Sequence, residues 1–270
     1  GCMVVSVDLP SGINGDNGRV MGLCVKADET VTFGYIKLGI ALYPGRSYAG
    51  HVSCPEIGFD ESALSEFDHF YLAYEDCDIR EMLPRRLPYG HKGSFGHVLI
   101  AAGSKNMAGA AALAAKAAYK SGCGLVTILT PECNRVIIQS LVPEAVLKTF
   151  SEDEEEDVTE VVKGALKGKT AVVCGPGIGL SEAAERMVEA VISFCKVPLI
   201  LDADALNILS EHQEWMALTK GPVILTPHMK ELSRLTGETI QTLKRNLEDV
   251  CTSFCQENSV ICIAKDACTC

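Results

Sequence analysis

With 270 residues, 47% of them hydrophobic, the chain can bury one large core or two modest ones. Its 24 Lys and Arg against 35 Asp and Glu leave a net charge of −11. That argues against nucleic acid and anionic membrane as partners, because both need a basic surface. No apolar run reaches the ~18–20 residues of a membrane span, and no signal-peptide pattern is read at its start.

Residues 1–62 read as mostly β, with short strands expected at 3–7 and 29–34. Gly12, Asn14, Gly15, Asp16, Asn17 and Gly18 make the loop between them. From Glu61 to Arg86 the sequence turns acidic and mixed, ending in Leu83-Pro-Arg-Arg-Leu-Pro88. Two prolines, charge and no periodicity mark a linker, and the boundaries expected are a first segment 1–64, a linker 65–86 and a main domain 87–270. Strands are then expected at 97–102, 125–130, 171–174, 198–202, 222–226 and 259–264. The alanine-rich run 108–122 reads as a helix that can press closely on a sheet, with Gly122 ending it. Ala184, Val188, Val191, Ile192 and Cys195 repeat at helical spacing. The acidic run 152–157 reads as a solvated helix start. This alternation predicts an α/β fold with a mostly parallel sheet covered by helices on both faces.

The 13 cysteines fit no zinc ribbon or finger. Secreted disulfide scaffolds are short and poor in core, so the thiols are expected free, mostly buried and in a reducing cytoplasm. The sequence opens on glycine inside a strand-like run and closes soon after another, so it reads as a fragment.

Three loops follow apolar runs in the way that lines the crevice of an open α/β sheet. Gly175-Pro-Gly177-Ile-Gly179 fits neither the dinucleotide fingerprint nor the phosphate-binding P-loop. Glycines there let a backbone approach a ligand or simply make a tight turn. Asp202 and Asp204, two apart on an extended backbone, are expected on one side. They could hold Mg2+ together with substrate phosphates, although Asp204 reads better as a helix N-cap, leaving Asp202 to face the crevice. Thr226-Pro-His228-Met-Lys-Glu231 offers His228 as an exposed ligand contact beside Thr226 and Glu231. Lys265 and Thr269 suit a nucleotide phosphate or ribose, or simple solubility. Gly175, Gly179, Asp202, Asn207, Thr226 and Glu231 are the candidate crevice residues.

In order along the chain stand His91-Lys-Gly93, Gly103-Ser104, Ala108-Gly-Ala110, Gly175-Pro-Gly-Ile-Gly179, Leu201-Asp-Ala-Asp-Ala-Leu-Asn207, Thr226-Pro-His-Met-Lys-Glu231 and Lys265-Asp-Ala-Cys-Thr269. This series resembles the NAD(P)H-hydrate dehydratase family, which has a ribokinase-like fold. Val7-Asp8-Leu-Pro-Ser11-Gly12 followed by Ala27-Asp28-Glu-Thr-Val-Thr-Phe33 resembles the end of a Rossmann-like NAD(P)H-hydrate epimerase domain. The resemblance covers nearly the whole chain and is weakest at 65–86.

The resemblance implies a repair enzyme for hydrated nicotinamide cofactors. ADP (or ATP), with Mg2+, would phosphorylate the C6 hydroxyl of NADHX or NADPHX, and the ring nitrogen would then expel phosphate. The epimerase part would interconvert the R and S hydrates. By position, Ala110, Gly177 and His228 match contacts to the hydrated dinucleotide, and Lys265, Asp266, Ala267, Cys268 and Thr269 match the nucleotide-binding segment. Asp8 matches an epimerase substrate contact and Ser11 a K+ ligand. A homo-oligomer in the cytoplasm is expected. Asp266 departs from the family's usual glycine, placing a negative charge near phosphate. The family's Gly-Asp segment with its aspartate base is expected beyond residue 270, so the fragment alone is expected to be inactive.

Overall fold

Valine- and isoleucine-rich runs bounded by turn residues form the strands, and within each sheet all of them run parallel. The computed structural model describes residues 1–59, 62, 71–86, 88–151 and 157–270. The chain divides into two units: Gly1–Arg86 with Lys244–Asn246, and Leu87–Leu243 with Leu247–Cys270.

The first unit holds a three-stranded sheet in the order β1 (Val5–Val7), β2 (Glu29–Val31), β3 (His51–Ser53). Two one-turn helices, α1 (Leu38–Ala41) and α2 (Arg46–Ala49), bring Ile40 and Ala49 onto Ile13 in a small core. The Thr30 hydroxyl, fully buried, donates to the Ala49 carbonyl at 2.6 Å, which meets its hydrogen-bonding need inside the unit. Strand content is lower than expected, and β3 was not anticipated, because three residues with one apolar member give no period to read. The expected linker contains a helix, α3 (Asp76–Met82), started by a capping box in which the Glu75 amide donates to Asp78 at 2.8 Å. Local capping, rather than a buried face, makes that helix, since it buries no residue.

The second unit is a seven-stranded sheet. Its members are β4 (His97–Ala101), β5 (Leu125–Pro131), β6 (Val146–Phe150), β7 (Ala171–Cys174), β8 (Leu199–Leu201), β9 (Val223–Leu225) and β10 (Ile261–Cys262). They lie in the order β10-β9-β8-β7-β4-β5-β6. An interior strand, β4, shows why both faces must be covered. Along β4 and the residue after it, Leu99 and Ala101 point into one buried cluster while Ile100 and Ala102 point into the other. The first cluster is closed by α6 (Val158–Leu166), α7 (Glu182–Phe194) and α8 (Asp204–Glu211), and the second by α4 (Ala108–Lys120) and α5 (Arg135–Leu141). Each leucine or isoleucine wholly removed from water here stabilises the fold by about 1.5–3 kcal/mol. On α4 the residues meeting the sheet are Ala108, Ala111, Ala112 and Ala115, so the helix lies close against it. α9 (Met229–Thr236) and α10 (Ile240–Asn258) precede β10, and Leu232 and Leu243 pack with Ala264 behind it.

β6 was not expected, because Val146-Leu-Lys-Thr-Phe150 mixes polar residues into a short edge strand. Residues 152–156 of the acidic run lie outside the described residues. Asp157 caps α6 by accepting from the Thr159 amide at 2.9 Å.

All 13 cysteines are free thiols, but the expectation that most are buried is corrected. Only Cys174 and Cys195 are buried, while Cys2, Cys77, Cys133 and Cys270 are exposed. Most of the cysteines sit on loops and helix flanks, where burial is partial. Complete burial pushes the Cys174 thiol up to about 12. In native protein, iodoacetamide is therefore expected to alkylate the exposed Cys2, Cys77 and Cys133 first and to leave Cys174 unmodified until denaturant is added. Mass mapping of early Cys174 adducts would contradict this packing.

Candidate active site

Because the strands of the second unit are parallel, their carboxyl ends all open on one edge of the sheet. The loops after β4, β7, β8, β9 and β10 therefore stand side by side in that order of strands, as in other open α/β sheets that bind ligands at this edge.

The glycine loop follows β7. Gly175 has φ +125°, and a Cβ there would lie 1.9 Å from the Asp202 carbonyl oxygen, so the chain passes too close to the next loop for any side chain. Gly177, at φ +66°, abuts the start of α4: its Cβ would lie 2.8 Å from the Ala110 Cβ and 3.1 Å from the Met107 Cβ. Two of the residues singled out as dinucleotide contacts thus form one wall. The Gly103 amide donates to the Pro176 carbonyl at 2.9 Å and ties the β4–α4 loop to the glycine loop.

Asp202 and Asp204 do not share a side. Ala203 between them takes a left-handed φ of +53°, so the backbone is not extended. Asp202 Oδ1 accepts from the Thr226 hydroxyl and the Lys265 ammonium, each at 2.7 Å. Asp204 instead accepts from the Gly179 amide at 2.9 Å. Nor is Asp204 the N-cap of α8; that position is held by Ala203, which has no capping side chain. The carboxylate of Asp204 bridges loops rather than closing its own helix.

His228 does cap. Its Nδ1 accepts from the Lys230 and Glu231 amides at 3.1 and 3.2 Å, and the Glu231 carboxylate accepts from the His228 amide at 2.9 Å. This reciprocal box starts α9 and explains why a carboxylate as buried as Glu231 is tolerated. The His228 side chain stays 54% exposed, so the ring still faces solvent on the crevice edge. Asn207, on α8, accepts from the Arg234 guanidinium of α9.

The Lys265 segment follows β10. Lys265 forms a parallel bridge with His228, and its amide donates to the Pro227 carbonyl at 2.8 Å. Ala264 and Cys270 exchange two backbone hydrogen bonds, of 2.7 and 3.1 Å, which pinch residues 265–269 into a closed loop. Asp266, Ala267 and Thr269 are exposed on it and Cys268 is half-buried.

The sequence reading missed Asn134. It lies after β5, is fully buried, and its amide donates to the Thr130 hydroxyl at 2.9 Å and the Ser104 carbonyl at 3.2 Å. An asparagine just past a strand end was the available signal.

In the first unit Asp8 has a left-handed φ of +67° and accepts from the Lys37 ammonium at 2.5 Å, the Thr32 hydroxyl at 3.1 Å and the Phe33 amide at 3.4 Å. A non-glycine residue held there is a mark of strain that its contacts must offset. Lys37 above all holds the Asp8 carboxyl below its ordinary value of 3.8. A lowered folded value means the pair's stabilisation is complete above pH ~3.8 and is lost as pH falls through the folded midpoint. Carboxyl NMR titration is expected to show Asp8 below 3.8, with Lys37→Met returning it towards that value. An unmoved midpoint would reject the pairing. Ser11 is exposed, and its carbonyl accepts from the Val25 amide at 2.9 Å.

Comparison with known proteins bears on this arrangement. Residues 98–270 match the sequence profile described as NAD(P)H-hydrate dehydratase, and residues 1–39 match the profile of the YjeF-related protein N-terminus. A protein of Moorella thermoacetica named bifunctional NAD(P)H-hydrate repair enzyme is 34% identical over 269 residues, which is 97% of this chain and 50% of that protein. One of the same name from Coxiella burnetii is 35% identical over 256 residues, 91% of this chain and 48% of its own. The chain spans about half the length of these curated relatives. Among solved structures, an ADP/ATP-dependent NAD(P)H-hydrate dehydratase of Bacillus subtilis, co-crystallised with ATP and Mg2+, superposes with TM-score 0.59 at 29% identity, covering 72% of this chain and 66% of that one. A ribokinase-like protein of Enterococcus faecalis has TM-score 0.65 at 23% identity, covering 75% and 70%, and supports the fold. With a family profile covering well over half its length, on a ribokinase-like parallel sheet, the chain belongs to the NAD(P)H-hydrate dehydratase family.

Proposed function

We propose that the second unit serves the ADP-dependent dehydration of (6S)-NADHX and (6S)-NADPHX. In the same reading the first unit belongs to the R/S epimerisation of those hydrates. The observation that carries the dehydratase reading is the single row of loops along one sheet edge, running from Ala110 against Gly177, through Asp202 and Thr226, to His228 bridged with Lys265.

The roles divide along that row. Gly177 and Ala110 leave a wall without bulk on which the hydrated nicotinamide half can lie, and the exposed His228 ring borders it. Lys265 and the pinched loop 265–269 would meet the nucleotide phosphates, where an ammonium and small side chains allow close approach. Phosphoryl transfer from ADP to the C6 hydroxyl leaves AMP and converts a poor leaving group into a good one. The ring nitrogen lone pair then expels phosphate, and loss of a C5 proton restores the double bond. Among the described residues, no three acidic, histidine or cysteine side chains form a metal cage. Mg2+ would come with the nucleotide phosphates, in keeping with its preference for few protein ligands. K+ in the epimerase part would use the exposed Ser11 hydroxyl.

Calorimetry of this chain with ADP and with NADPHX is expected to show saturable binding of both. A coupled assay on NADHX plus ADP, run on a form of the protein that carries the family's Gly-Asp segment, then separates the chemistries. Recovered nicotinamide absorbance is the repair outcome, while a phosphorylated product that accumulates without it would assign the crevice to a small-molecule kinase. Failure to bind either ligand would overturn the reading of the crevice.

A further inference from the structure

Lys265 lies three residues beyond β10, the edge strand, yet its ammonium reaches Asp202, the residue after β8. At about 4.8 Å per strand, that is roughly 10 Å across the mouth of β9 towards the middle of the sheet. The root of the side chain is fixed, because the Lys265 backbone is bridged to His228 and bonded to Pro227. Its tip is fixed by Asp202. The Thr226 hydroxyl, between the two strands, donates to the same Oδ1 and holds that carboxylate in place. A lysine on a sheet edge, with 44% of its side chain exposed, would otherwise extend into water, where a strongly hydrated ammonium is most stable.

The geometry points to Asp202, locked by Thr226, as a positioning residue: it turns the Lys265 ammonium inward so that it lies over the crevice where an anion arrives. An ammonium has three donors, and Asp202 takes one of them. The others stay available to a phosphate without the ion pair breaking. The same contact gives Thr226 a purpose: its hydroxyl orients the aspartate and never needs to touch the ligand. The part of this proposal that concerns nucleotide rests on reading residues 265–269 as the nucleotide segment. The inward turn itself does not.

Two measurements on the 270-residue chain separate these. Pulse acylation with an amine-reactive succinimidyl ester, followed by mass spectrometry, reads how firmly Lys265 is held. In Asp202→Asn, which keeps an oxygen for Thr226 but loses the charge, Lys265 is expected to acylate several-fold faster while Lys163 and Lys220 keep their rates. Thr226→Val should give a smaller rise, and Asp202→Glu should restore part of the protection. Calorimetry with ADP is expected to show binding weakened about tenfold in Asp202→Asn, as for a lost charge-assisted contact. NADPHX affinity should be unchanged, a split that a loosened fold would not produce. Unchanged Lys265 acylation overturns the proposal. So does tighter ADP binding in Asp202→Asn, which would make Asp202 a competitor of the phosphate. If wild type binds no ADP yet Asp202→Asn still unmasks Lys265, the inward turn stands and the nucleotide reading fails.

Discussion

Gly175→Ala is expected to destabilise the second unit by on the order of 4 kcal/mol, from backbone strain and overpacking together. The residue has φ +125°, outside the range open to side-chain-bearing residues. Its new methyl would sit 1.9 Å from the Asp202 carbonyl oxygen and 2.7 Å from the Ala205 Cβ. The obstacle is backbone of the neighbouring loop and the first turn of α8, neither of which can swing away like the end of a long side chain. For a unit of this size, a loss of that magnitude lowers the melting temperature by roughly 10 °C. Gly179→Ala is the control. It shares a positive φ, +76°, but meets nothing within 4 Å, so about 1–2 kcal/mol is expected from the left-handed backbone alone. Urea denaturation of both variants checks the difference. Equal effects would mean that the approach of the two loops is not what demands glycine at 175.

Asn134→Ala is expected to cost about 2–3 kcal/mol, since it strands a buried hydroxyl and leaves a small void. The Ser104 carbonyl would keep the Met107 amide at 2.9 Å, so the orphan is Thr130, which is wholly buried. The loss should show locally as well as globally. Amide exchange is expected to quicken at Gly103 and Met107, on the loop that sets Ala110 against Gly177, well before it changes at Leu225. Uniform acceleration would place Asn134 in the general core rather than at that loop.

Much of this arrangement was legible in the sequence. The strands β4, β5, β7, β8 and β9 are apolar runs ended by glycine, aspartate or proline, and their order along the chain with helices between them dictates a parallel sheet. A parallel sheet in turn puts every strand's exit on one edge. What the sequence did not disclose was pairwise geometry. Asp202 and Asp204 look alike two residues apart, and only the left-handed Ala203 sends one to Lys265 and the other to Gly179. The cap that His228 and Glu231 make was hidden because a capping box is ordinarily recognised by serine or threonine, and a histidine in the capping position masks the pattern. β6 was missed because an edge strand needs only one apolar face, and Asn134 because its partners, Thr130 and Ser104, are brought together only by folding. The cysteines misled in the opposite direction: residue type suggested burial, whereas position decided it.

The strand order also governs how the chain comes into being. β4 lies between β5 and β7, but Thr170, at the entry to β7, is 73 positions from His97 at the start of β4. During synthesis at ~5–20 residues per second, one flank of β4 stays without a neighbour for roughly 4–15 s after that strand leaves the ribosome. Pairing across so long a separation also raises contact order and slows closure. The nascent protein therefore presents a row of open amides and carbonyls beside Leu99 and Ile100 for seconds, and those seconds are when chaperones would find it.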